Sequence, residues 1–152
     1  MQSDSVLAAS SVVAEKESPQ VYLDQGWLAF QRGELEQGVT FWQKAAEGFR
    51  DAQKPQEEVE VLIYLAHAYQ LMGRYQNSEK SLAVAAILGE KLSDPNLRAA
   101  LLQGLGNLSV ALGSWDNASR SLNEALRFAR DGVIVHSWLL YKTIWRTSII
   151  RA

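Results

Sequence analysis

The chain has 152 residues, of which 47% are hydrophobic and 21% charged, with a net charge of −2 and no cysteine. That length fits one domain and buries a core without staples, and the apolar fraction excludes disorder of the whole chain. The missing thiols exclude disulfides, thiolate zinc sites and cysteine nucleophiles, and the near-neutral balance argues against nucleic-acid binding.

Residues 1–18 read as a flexible arm. Asp4 precedes the apolar part and Ser10 and Ser11 interrupt it, unlike the positive start and continuous apolar run of a secretory signal. The chain reads as cytoplasmic, with the mature end of an exported protein as the alternative. Ser18-Pro19 then supplies a cap and a first helical proline. Tyr22, Leu23, Gly26, Ala29 and Phe30 follow at helical spacing, up to the turn Arg32-Gly33-Glu34-Leu35. Val39, Trp42, Ala45, Ala46 and Phe49 continue that spacing beyond it.

Lys54-Pro55 opens a second pair of helices. Val59, Leu62, Ile63, Ala66 and Tyr69 precede Met72-Gly73-Arg74-Tyr75, and Leu82, Ala85, Ala86 and Leu92 come after. Ser93-Asp94-Pro95-Asn96 opens a third pair, with Asp94 as the expected N-cap. There Leu101, Leu102, Leu105 and Leu108 lead to Leu112-Gly113-Ser114-Trp115, and Ala118, Leu122, Ala125, Leu126 and Ala129 follow as the next apolar stripe. Asp131-Gly132 ends that pair. A seventh helix from about Val133 places Ile134, Trp138, Tyr141, Trp145 and Ile149 on one face. Lys142 and Arg146 in the middle of this apolar stretch argue against a membrane span. The expected role of this helix is to cover the end of the third pair, or to bury its second apolar face against another copy.

The three turn glycines, Gly33, Gly73 and Gly113, are 40 residues apart. Each suits the left-handed conformation that ends one helix and admits the next. Small residues recur around them: Gly26, Ala66 and Gly106 seven before the turn, and Gly38, Ser78 and Ala118 five after it. Trp42, Leu82 and Leu122, nine after it, supply bulk between layers. The chain is therefore expected to be all-α, built from three stacked hairpins.

This arrangement resembles the tetratricopeptide repeat, most closely in Gly106-Asn107-Leu108 followed by Leu112-Gly113-Ser114-Trp115-Asp116-Asn117-Ala118. The resemblance covers residues 19–132, as repeats 19–54, 55–94 and 95–132. The chain departs from the family in its 40-residue period, against the usual 34 or so, and in Gly38 at a position the family fills with alanine. Either the second helices or the inter-repeat loops must then be longer. The long form is similar to repeats of bacterial signalling scaffolds and of proteins carrying caspase-like CHAT domains. The resemblance implies a right-handed superhelix of three hairpins, closed by a helix over 133–152.

It also implies a concave groove lined by the first helix of each pair, which holds a protein or peptide. The matching positions are Leu23, Trp27, Phe30 and Gln31 in the first pair. They are Ile63, His67, Gln70 and Leu71 in the second, and Gln103, Asn107, Val110 and Ala111 in the third. Trp27 and Phe30 read as aromatic anchors, or as residues packed under the arm. Gln103 and Asn107 suit hydrogen bonds to a peptide backbone, or solvation. Of the basic and amide residues with which some family members clamp a terminal carboxylate, only Asn107 is present, so acidic chaperone tails are not the expected ligand.

No catalytic constellation emerges. His67 and His136 have no partner at metal-ligand spacing, and no cofactor motif is present. The run Glu57-Glu58-Glu60 reads as a solvated helix start. Three functions remain open: an adaptor that binds a protein in its groove, a self-assembly module working through the last helix, and a regulatory repeat region of a larger enzyme such as a CHAT-type protease.

Overall fold

A computed structural model describes residues 17–131. It therefore leaves outside it most of the arm, and the expected last helix with Ile134, Trp138, Tyr141, Trp145 and Ile149. Among the described residues the chain is all-helical, with no strand. α1 (Pro19–Gln31) and α2 (Leu35–Asp51) form the first pair. α3 (Pro55–Leu71) and α4 (Tyr75–Gly89) form the second. α5 (Pro95–Ala111) and α6 (Trp115–Asp131) form the third. Each helix packs on the next, and α3 also packs on α5.

Each pair starts at a proline, whose missing N–H costs nothing in the first turn. Asp94 caps α5 by accepting from the backbone N–H groups of Asn96 and Leu97, at 2.9 and 3.3 Å. Ser18 makes no side-chain cap, and its carbonyl accepts from Val21 instead. The glycine turns close alike. Gly33, Gly73 and Gly113 all have φ between 71° and 79°. The next N–H reaches five residues back: Glu34 to Ala29, Arg74 to Tyr69, Ser114 to Ser109. The link between α2 and α3 has the same form, with Lys54 N–H on the Phe49 carbonyl and Gln53 at φ 55° in the glycine place. Among the described residues only the link from α4 to α5 differs, running from Glu90 to Asp94. The long period thus resides in the helices, because α2, α3, α5 and α6 each have 17 residues and the α2–α3 link only three.

The small residues are matched to large ones. A Cβ on Gly26 would strike the Trp42 indole, and one on Gly106 would lie 2.7 Å from Leu122. Ala66 meets Leu82 in the same way. In the first two pairs the large residue also plugs into the next layer. Trp42 lies against Tyr64, with ring centroids 5.5 Å apart, and Leu82 lies where a Cβ on Gly104 would come within 2.9 Å. Burying side chains of this size contributes about 1.5–3 kcal/mol each. Glu58 departs from the solvated run expected of its neighbours: it is buried, and its carboxylate accepts from Arg50 Nε at 2.8 Å. Leu126 departs from the apolar stripe expected of α6: it is exposed, off the buried face.

Candidate functional site

The first helices form a continuous row. Trp27 of α1 packs edge-on against Tyr64 of α3, with centroids 4.6 Å apart, and Phe30 lies 6.0 Å from His67. Gln70 of α3 donates to the Gly104 carbonyl of α5 at 3.1 Å and to Ser78 Oγ at 2.9 Å. These contacts bring the three segments expected to line a groove side by side.

Within the row the expected groove residues divide by register. Six positions before the turn glycine, Trp27, His67 and Asn107 are each half-buried. Two before it, Gln31, Leu71 and Ala111 are exposed. Ten before it, Leu23 and Ile63 are core residues, and Gln103 is half-buried. The Leu23 carbonyl accepts from Trp42 Nε1 at 3.3 Å, so its backbone as well as its side chain belongs to the first pair's interior. Phe30 is likewise buried, among Trp27, Trp42 and His67. Leu23, Phe30 and Ile63 therefore hold the row together instead of facing a partner. Gln70 is occupied as a tie between pairs, and Val110 is half-buried. Residues 1–16 of the arm lie outside the described residues, and with them the alternative that Trp27 and Phe30 pack under it. Trp27 sits in a ring cluster with Phe30, Trp42 and Tyr64. Gln103 Oε1 is buried with no hydrogen-bond donor.

A second feature has no counterpart in the sequence expectations. An open pocket of about 170 Å³ lies between the second and third pairs. Val59 of α3, Ala86 and Gly89 of α4, and Leu97, Leu101 and Leu105 of α5 give it apolar walls. Glu90, Asp94 and Arg98 supply its charge. The signal that locates it is a comparison of repeats: Gly89 stands 40 residues after Phe49, and Phe49 is buried in the core cluster that holds Val59 and Leu62 of α3.

Among the described residues no group of His, Cys, Asp or Glu side chains is placed to hold a metal ion. No described helix is long and apolar enough to cross a membrane. No protein-family model matches the chain, and no curated protein matches it.

Proposed function

We propose that the chain is a non-catalytic protein-interaction module: a tetratricopeptide-type right-handed solenoid that holds a protein or peptide segment along the row of first helices. The observation that carries this reading is the half-buried register shared by Trp27, His67 and Asn107. An indole, an imidazole and an amide recur at one height, framed by exposed Gln31, Leu71 and Ala111 and backed by core. Such a ladder suits a ligand that sets an apolar side chain by the first pair and hydrogen-bonds by the third.

The test is a random peptide library panned against the intact chain. Enriched peptides should bind His67→Ala and Asn107→Ala at least about tenfold more weakly, roughly the 1.4 kcal/mol of one lost interface contact. Enrichment that neither substitution affects, with the helical spectrum intact, would overturn the groove reading. The self-assembly alternative is favoured by one observation, the exposure of Leu112, Trp115 and Leu126 on the third pair.

A further inference from the structure

The two junctions between pairs use the same register positions in opposite ways. In the first, Phe49 at the end of α2 is buried in the same core cluster as Val59 and Leu62 of α3, and Arg50 bonds Glu58 across the link. Forty residues later these positions hold Gly89, Glu90 and Arg98. The ring is missing and the charges are exchanged. Among the described residues no ion pair joins Glu90 to Arg98, although both line the pocket. A Cβ on Gly89 would meet nothing nearer than Leu101 Cδ2 at 4.0 Å. The second junction is thus the first with its aromatic plug removed. An apolar cavity of about 150 Å³ accepts a benzene ring, so a pocket of about 170 Å³ has room for one aromatic side chain.

We propose that this pocket is a receptor for one aromatic side chain, and that its occupant is the chain's own segment 133–151. Three observations point to that occupant. The chain leaves α6 beside the pocket: α6 returns along α5 so that Phe128 lies 5.3 Å from the guanidinium of Arg98, a residue of the pocket lining. The segment is within reach, because Trp138 is seven residues past Asp131, up to about 25 Å of extended chain. Its charge is complementary, since residues 133–151 carry Lys142, Arg146 and Arg151 and no acid, opposite Glu90 and Asp94. Trp138, Tyr141 and Trp145 are the candidate plugs, and two of them, Tyr141 and Trp145, are each followed by a basic residue. The pocket shares no residue with the Trp27–His67–Asn107 ladder, so the two proposals fail independently.

The absence of native cysteine makes a cross-linking test clean. Glu90→Cys is combined with single cysteines at each position from 137 to 147 in the full chain, under mild oxidation. The expected result is an intramolecular disulfide that forms fastest beside one of the three aromatic residues. Its rate should fall at least about tenfold when Gly89→Phe or Gly89→Leu fills the pocket, and should hold with Gly89→Ala. Two fillers are used so that one poorly folded variant, identified by its helical spectrum, leaves the other to decide. Covalent dimers in place of an intramolecular link would overturn the proposal in favour of a second copy. Cross-linking that is uniform along the segment, absent, or indifferent to both fillers would overturn it outright.

Discussion

At the scale of single residues, the packing is set by which side chain each small position admits. Gly106 has room for a hydrogen and no more, because a Cβ there would press on Leu122. Gly106→Ala should therefore destabilise by about 1–3 kcal/mol, the usual cost of overpacking. That loss should lower the thermal midpoint by about 2–4 °C per kcal/mol. Gln53 offers the opposite case. Its φ of 55° carries a left-handed strain of about 1–2 kcal/mol that glycine escapes, while glycine loosens the unfolded chain by about 0.4–1 kcal/mol. Gln53→Gly should thus stabilise slightly, by about 0.5 kcal/mol in a denaturant titration. The small positions Gly26, Ala66 and Gly106 and the bulky Trp42, Leu82 and Leu122 were legible from their spacing, but that each small one receives the bulky one of its own hairpin was not, since the bulk was expected between layers. The burial of Glu58 was not. Three acids in four residues look solvated, and only Arg50, folded back across a turn, makes a buried carboxylate tolerable.

At the scale of elements, the two junctions predict different stabilities. Ten of the 17 residues of α3 are buried, against four of 15 in α4. The first junction is closed by Phe49, by the Arg50–Glu58 pair, and by Gln43 donating to Tyr69 Oη at 2.9 Å. The second has the pocket and a longer link. In arrays of this kind stability is a sum over units and neighbour contacts, and the weakest contact opens first. Amide hydrogen exchange should be slowest in α3 and faster in α5 and α6, with the third pair exchanging as a unit. Equal protection across all six helices would refute this order. The repeat boundaries could be read from Pro19, Pro55, Pro95 and the glycine turns, because those signals are local. Which groove positions stay accessible could not. Leu23 and Ile63 share a register with Gln103, yet the first two are buried and Gln103 is half-buried.

At the scale of the whole molecule, the two functional readings differ in mass. The groove reading expects a monomer by light scattering coupled to size exclusion across a wide concentration range. Self-assembly expects a mass that rises with concentration and returns to monomer in Trp145→Asp. The turn between α2 and α3 carries one last consequence. It copies the turns inside the pairs, so α1 to α4 are joined by three equivalent links, and among the described residues the single irregular link lies between α4 and α5. Mechanically the described residues divide into a four-helix block and a two-helix block on a joint of different build. A load applied along the chain would concentrate its deformation at that joint, and more so whenever the pocket beside Gly89 is empty.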